Sequence, residues 1–193
     1  RHQNTTGFVA GRQMGGIGLK ELSAAQITAA VRELCIEANY HLPADVTDCL
    51  RSCRAKEQWP VAKEILGNIL DNITVAAEGD YPLCQDTGLA CVFIRLGQEV
   101  HISGDLAAAV DEGVRQGYRD GYLRASAVAD PLRRVNTGDN TPALLTVELT
   151  SGDQCEITVA PKGFGSENMG ALKMLRPSDG REGVKRFVLE TVK

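Results

Sequence analysis

Three features that would mark a membrane or nucleic-acid protein are missing from this sequence. The 193 residues carry 21 Lys and Arg against 25 Asp and Glu, for a formal net charge of −4. Without an excess of positive charge to attract phosphates, we expect neither nucleic acid nor an anionic membrane as a partner. No apolar run approaches the roughly 20 residues of a spanning helix, and the N-terminal segment lacks the apolar core of a signal peptide. We therefore expect a soluble protein of the cytoplasm.

The sequence also has no internal repeat, no low-complexity tract and neither glycine-rich phosphate-binding motif, G-x-x-x-x-G-K-[ST] or G-x-G-x-x-G. What it does have is an ordinary globular composition, with 43% hydrophobic and 24% charged residues. That length suits one domain with a sizeable core. Residues 1–20 are glycine-rich and without a period, which is typical of an N-terminal arm or a segment added for expression. Residues 21–193 are expected to form the domain.

The six cysteines are not expected to form disulfides, because a chain rich in aliphatic residues needs no covalent staples. We predict buried free thiols at every position except Cys84, namely Cys35, Cys49, Cys53, Cys91 and Cys155. An alternative concerns Cys49 and Cys53, whose C-x-x-x-C spacing puts both on one helix face. They could serve a zinc or redox protein, although no third or fourth ligand lies nearby in the sequence.

Hydrophobic periodicity predicts three helices in the first third of the chain. Ser23 and Gln26 form a capping box before the first, the second starts at Asp45 or Thr47, and the third starts near Pro60. Further on, a helix starts at Asp105. Its three glycines, Gly113, Gly117 and Gly121, fall four apart, which predicts close packing against a neighbouring backbone.

Apolar runs of period two predict the strands. Residues 89–96 and 99–103 are interpreted as one β-hairpin, and residues 143–150 and 155–160 as a second. A helix is predicted after the glycine-rich loop at 163–165, ending at Pro177, and a last helix near Arg181. The fold class is therefore α+β (mixed α/β): N-terminal helices, then two β-hairpins with interspersed helices in a layered domain.

Three polar segments are candidates for a functional site. "YPLCQDTG" places Cys84 on a polar turn before a strand, although Asp and Gly are also ordinary turn formers. Residues 122–142 form a long irregular segment with Arg124, Arg133 and Arg134, whose guanidinium forks suit carboxylates. The alternative is a surface loop with solvated arginines. "APKGFGSEN" is a glycine loop leading into a predicted helix start, where free N–H groups favour an anion.

Taken together, "PLCQDTG", "YLRAS…NTGDNTPA" and "KGFGSEN" resemble the N-terminal domain of class I, iron–sulfur-dependent fumarate hydratases, a family that includes the L-tartrate dehydratase alpha subunit. The resemblance covers residues 23–193. It implies a hydro-lyase that adds or removes water on a C4 dicarboxylic acid, fumarate/malate or tartrate/oxaloacetate. It also implies a [4Fe–4S] cluster held by three cysteines, with one iron acting as a Lewis acid.

The resemblance assigns roles to individual positions. Cys84 would be a cluster ligand, Gln85 and Asp86 would contact substrate, and Arg124 would clamp a substrate carboxylate. Asp86 and Arg124 are the catalytic candidates. The remaining substrate-binding candidates follow the glycine loop: Gly165, Asn168, Met169, Gly170 and Lys173.

The chain also departs from the family pattern, because Cys84 is the one cluster ligand with a matching context. We therefore expect a domain truncated before the remaining ligands and inactive alone. A C-terminal domain or beta subunit would supply the catalytic base, and a homodimer is expected. The competing interpretation is a non-catalytic dicarboxylate-binding or assembly module that keeps the anion site without a cluster.

Overall fold

The computed structural model describes residues 19–79, 81–83, 88–163 and 170–192. The chain divides into two compact units, Arg1–Gly163 and Phe164–Lys193, which are described separately below. The mixed α+β class is confirmed. Within the described ranges, no helix has both the length and the apolar character needed to cross a membrane.

The first part of the larger unit is helical, as periodicity predicts. Its elements are β1 (Lys20–Ser23), α1 (Ala24–Tyr40), α2 (Ala44–Lys56) and α3 (Pro60–Glu78). The predicted capping box is confirmed: the Gln26 N–H donates to Ser23 Oγ over 3.3 Å, and the Ser23 N–H donates to Gln26 Oε1 over 2.9 Å. Pro60 occupies the first turn of α3, where its missing N–H costs no hydrogen bond.

The rest of this unit alternates strands with one helix. The elements are β2 (Leu89–Gly97), β3 (Val100–Ser103), α4 (Leu106–Asp120), β4 (Leu144–Thr150) and β5 (Cys155–Lys162). Asp105 is the N-cap of α4, as predicted, since its side chain accepts from the Ala108 N–H over 3.0 Å. The strands form two sheets: β1 pairs with β3, and a second sheet has the order β4-β2-β5.

Neither predicted hairpin forms. β3 pairs in parallel with β1 instead of β2. β4 and β5 follow each other in the chain but lie on opposite sides of β2, one parallel to it and one antiparallel. The connection between them therefore crosses the end of β2, where the Gly97 N–H donates to the Gln154 carbonyl over 2.7 Å. A Cβ at Gly97 would lie 2.2 Å from the Gly152 carbonyl oxygen, so only glycine fits under this crossing.

The core is built where α1 and α4 pack together. Val31 and Val114 are fully buried, and they share one apolar cluster with Val92 and Ile94 of the central strand. The predicted close approach at the α4 glycines is confirmed: a Cβ at Gly113 would lie 2.8 Å from the Thr28 carbonyl oxygen of α1. The Thr28 hydroxyl also donates to the Ala109 carbonyl over 2.9 Å. The two helices are therefore held at backbone distance.

The expectation of buried thiols is confirmed for Cys35 and wrong for others. Cys35 is fully buried, whereas Cys49 and Cys53 are exposed on α2. The reason is that α2 packs on α3 rather than into the main core, and only Thr47 among its 13 residues is buried. Cys155 and Cys91 are intermediate. Cys155 packs against the core cluster, whereas Cys91 lies, by strand alternation, on the sheet face opposite to Val92.

The smaller unit contains a 3₁₀ turn (Pro177–Asp179) and α5 (Gly180–Val192), which confirms the last predicted helix. The turn is closed by the Asp179 carboxylate, which accepts from the Arg176 N–H over 2.7 Å. The helix predicted after the glycine loop is wrong for the residues that can be seen, because 170–176 have no regular structure. Residues 164–169 of that prediction lie outside the described residues.

Candidate substrate site

The turn that carries Cys84 lies between two fixed points. Before it, the Leu83 N–H donates to the Asn39 carbonyl near the end of α1 over 2.8 Å. After it, the Gly88 N–H donates to the Lys162 carbonyl at the end of β5 over 2.9 Å. Cys84, Gln85 and Asp86 themselves lie outside the described residues. The larger unit thus fixes both flanks of the turn against its own helix and sheet.

Arg124 lies two residues after the turn that ends α4. It is exposed, and it stands between Leu123 and Ala127, which are 7% and 3% exposed. The Leu123 N–H donates to the Tyr118 carbonyl over 2.9 Å, so the chain leaves α4 in a fixed direction. The buried residues Leu123 and Ala127 fix the backbone on either side of Arg124. Its exposed guanidinium can therefore contact an anion from solvent while its backbone stays in place.

A second segment, 136–141, lies against the segment 124–129 that carries Arg124. The Asn140 side chain is fully buried, and its Oδ1 accepts from both the Ser126 N–H and the Ala127 N–H over 2.9 Å. Asn136 Nδ2 donates to the Ala125 carbonyl over 3.0 Å. These asparagines lie in the "NTGDNT" stretch that sequence analysis treated as one loop with the arginines. The sequence signal that could have predicted these contacts is the preference of Asn and Asp side chains for hydrogen bonds to nearby backbone groups.

The same stretch is tied to α4 through charge. Arg115 Nε donates to an Asp139 oxygen over 2.9 Å and also pairs with Glu112. The other Asp139 oxygen accepts from the Thr141 hydroxyl over 2.7 Å. These donors, the Thr141 hydroxyl first and Arg115 after it, lower the pKa of the Asp139 carboxyl to about 2. Asp139 is therefore ionised at any working pH and anchors the loop on α4.

Arg133 and Arg134, the other two arginines of the predicted segment, lie at its exposed tip. Asp130 organises this tip, because its Oδ1 accepts from the N–H groups of Leu132 and Arg133 over 2.9 and 2.7 Å. Both arginines are exposed, and Arg134 has a positive φ of 55°. Arg124 differs from them because buried residues, Leu123 before it and Ala127 three positions after it, flank it in the chain.

Two buried groups nearby were not singled out from the sequence. Burial raises the pKa of the Tyr118 phenol, so this tyrosine stays neutral. Its hydroxyl and Asn140 Nδ2 are both buried without a hydrogen-bond partner among the described residues. Burial likewise raises the pKa of the Cys35 thiol to about 12, which makes it a poor metal ligand or nucleophile.

Two of the predicted site residues that the structure describes lie in the smaller unit. Gly170 is exposed, and Lys173 places its Nζ 3.9 Å from a Glu190 carboxylate oxygen on α5. Gly165, Asn168 and Met169 lie outside the described residues. The predicted helix-start anion site would have begun among them, and residues 170–176, which lack helical structure, do not supply it.

The described thiols do not make a cluster site by themselves. In the part of the chain that the structure describes, no group of three or more His, Cys, Asp or Glu side chains could hold a metal ion. Cys35 is buried with a raised pKa, whereas Cys49 and Cys53 lie exposed on α2. The described cysteines therefore do not form a three-thiolate cluster site among themselves.

Comparison with known proteins identifies the family of this chain. A profile for fumarate hydratase (fumerase) matches residues 28–193. The match covers most of the chain, so the chain belongs to the fumarate hydratase family.

The curated relatives carry subunit names. A protein of Methanocaldococcus jannaschii named "Putative L(+)-tartrate dehydratase subunit alpha" is 40% identical over 174 residues, covering 86% of this chain and 61% of that protein. The L(+)-tartrate dehydratase subunit alpha of Escherichia coli strain UTI89 is 31% identical over 177 residues, 90% of this chain and 58% of that subunit. The K12 strain subunit is 30% identical over the same shares. The chain therefore spans about three fifths of the length of these relatives.

Proposed function

We propose that this chain is a component of a hydro-lyase that reversibly adds or removes water on a C4 dicarboxylic acid, either fumarate/malate or tartrate/oxaloacetate. Family membership and the names of the relatives support the reaction class. The observation that carries the proposal is Arg124, an exposed guanidinium on a segment fixed by buried hydrogen bonds. Such a fork can bind a substrate carboxylate in two parallel hydrogen bonds.

The proposed dehydration requires a positively charged group held in a fixed position beside the substrate carboxylate. Removing water from a hydroxy acid requires loss of a weakly acidic C–H proton beside a carboxylate, and that carboxylate gains negative charge in the transition state. A guanidinium held in position stabilises this charge without reorganising. In the proposal, Arg124 carries this role, and Gln85, Asp86, Gly165, Asn168, Met169, Gly170 and Lys173 are the further substrate contacts.

We further propose Cys84 as one ligand of a [4Fe–4S] cluster, which would supply Lewis acidity when bound. The relatives are named as alpha subunits, which supports a beta subunit or C-terminal domain as the source of the catalytic base and the remaining ligands. A homodimer of such assemblies in the cytoplasm completes the proposal.

The test of Arg124 is a binding and activity measurement on the chain assembled with its partner. Arg124→Lys keeps the charge but loses the fork, so we expect the KM for fumarate or tartrate to rise roughly 10- to 100-fold, the value of one or two charge-assisted hydrogen bonds. Arg133→Lys, on the tip of the same loop, is the matched control and should leave KM unchanged. Equal effects of the two substitutions would contradict the assignment.

The cluster has its own test, the iron and sulfide content after anaerobic reconstitution. Cys84→Ser should abolish the visible chromophore, whereas Cys49→Ser, on the exposed face of α2, should retain it. Full cluster content in Cys84→Ser would remove this part of the proposal. Loss of metal in Cys49→Ser would instead favour a zinc or redox site at Cys49 and Cys53. Dicarboxylate binding that needs no iron and survives Cys84→Ser would favour the non-catalytic binding module.

A further inference from the structure

Asn140 is an unusual residue for a surface loop. Its side chain is 0% exposed, although the loop around it is largely exposed, and its φ is 60°. Asparagine adopts this left-handed conformation more readily than most residues do. Its Oδ1 is hydrogen-bonded although its Nδ2 has no partner among the described residues, so the hydrogen bonds of Oδ1 are what offset the free-energy cost of burying this carboxamide.

Those hydrogen bonds go to one place. Asn140 Oδ1 accepts from the N–H groups of Ser126 and Ala127, both over 2.9 Å, and these residues are two and three positions after Arg124. One oxygen that accepts from two consecutive N–H groups fixes the direction of both peptide planes. The Thr137 N–H adds a return bond to the Ala127 carbonyl over 3.0 Å. The segment that carries Arg124 is thus held by bonds in both directions.

Asn140, which fixes the segment of Arg124, is itself fixed by contacts between its own loop and α4. Its neighbour Asp139 is bound to Arg115 of α4 over 2.9 Å. Further along, the Ala143 N–H donates to Asp111 Oδ1, also on α4, over 2.8 Å. Two side chains of one rigid helix therefore fix the loop on both sides of Asn140, and Asn140 transmits that position to the segment of Arg124.

We propose that Asn140 is a positioning residue: it sets the backbone from which Arg124 reaches the substrate carboxylate. The role assigned to Arg124 rests on the proposed function. Asn140 would act through Arg124 without touching substrate, so its loss should weaken substrate binding while the chain remains folded.

Two substitutions separate the hydrogen bonds from the backbone conformation. Asn140→Gly tolerates the positive φ and removes the acceptor. Asn140→Asp keeps an acceptor oxygen at the same distance along the side chain and also tolerates this φ. Leu22→Ala controls for general destabilisation, because it removes core volume at β1 and leaves the side chains of α4 that hold the loop unchanged.

The first measurement is amide hydrogen exchange at Ser126 and Ala127 in the full chain. We expect Asn140→Gly to accelerate exchange at both amides by at least roughly tenfold, the equivalent of one hydrogen bond. Asn140→Asp should keep the protection of the wild type. Wild-type protection in Asn140→Gly would overturn the inference.

The second measurement is the dissociation constant of succinate, an unreactive C4 dicarboxylate, for the chain assembled with its partner. Asn140→Gly should raise it roughly tenfold, Asn140→Asp should restore most of the affinity, and Leu22→Ala should leave it unchanged. Affinity unaffected by Asn140→Gly, or lowered equally by Leu22→Ala, would overturn the positioning role. A wild-type protein that binds no succinate would overturn the proposed function, while the exchange rates would still decide whether Asn140 fixes the segment.

Discussion

The two helix pairs of the larger unit look alike in sequence and differ in the structure. α1 and α4 bury a continuous face against each other, including Ile27, Val31, Val110 and Val114. α2 and α3 also pack together, yet α3 leaves Ile65 and Val75 more than half exposed. Hydrophobic periodicity therefore identifies an apolar helix face but does not predict whether another element covers that face.

The spacing of the glycines, by contrast, does identify the face of α4 that α1 covers. Gly113 and Gly117 on α4 and Gly121 directly after it recur every four residues, and a Cβ at each would come within 3.0 Å of an atom of α1. α3 has one glycine, Gly67, and its nearest neighbours are the side-chain atoms of Arg54 at 3.3 Å. Repeated small residues therefore indicate a backbone-to-backbone contact, which hydrophobic period alone cannot indicate.

The largest expected effect comes from truncating one isoleucine in each pair. Ile27 is 1% exposed and Ile65 is 52% exposed. Ile27→Ala should lower the free energy of unfolding by about 2–5 kcal/mol because it leaves a cavity in the core. Ile65→Ala should change it by no more than about 0.5 kcal/mol. Urea denaturation of both variants measures the difference, and similar losses would show that α3 is buried in solution.

A smaller effect, of opposite sign in the two pairs, is expected from glycine to alanine. At Gly113 the new Cβ would lie 2.7 Å from Val31 Cβ, so Gly113→Ala should cost about 1–2 kcal/mol after its gain in helix propensity. At Gly67 the neighbour is a flexible, exposed guanidinium that can move aside. Gly67→Ala should therefore stabilise by up to about 1 kcal/mol. Thermal unfolding measures both variants. A gain in stability for Gly113→Ala would contradict the difference between the two helix pairs.

The smallest expected effect on stability comes from removing one ion pair made by a helix of each pair, at Arg115 of α4 and at Arg51 of α2. The lowered pKa of Asp139, about 2 against an ordinary 3.8, means that its ionised form contributes stability above about pH 4 that is lost as the pH falls through about 2. Asp139→Asn should cost about 1 kcal/mol at neutral pH and flatten the acid limb of the stability curve. Asp48→Asn, in the exposed pair with Arg51 on α2, should cost no more than about 0.5 kcal/mol. Acid titrations of unfolding compare the two.

Much of the fold could be predicted, because helix existence and capping are local properties. Ser23, Pro60 and Asp105 each begin a helix for reasons contained within a few residues of the chain. Strand pairing is not local. The turn-like "SGD" between β4 and β5 favours a hairpin, but the central place beside both strands is taken by β2. The nearest strand in sequence was therefore the wrong partner.

The candidate site shows the same division. Arg124 could be selected from its residue type and its irregular segment, and its role stays a prediction. The role of Asn140 could not be predicted, because it depends on Ser126 and Ala127 being brought against it by the fold. Burial of Cys49 and Cys53 was expected from composition and failed, since helix α2 does not reach the core.

The central position of β2 has a consequence for the chain as it is synthesised. Leu89–Gly97 leaves the ribosome first, and both of its partners, beginning at Leu144 and Cys155, are made later. During that interval the backbone of β2 has no strand partner, and both of its edges are open to other chains. Nascent chains halted before Leu144 should thus be the form of this protein that chaperones bind most tightly.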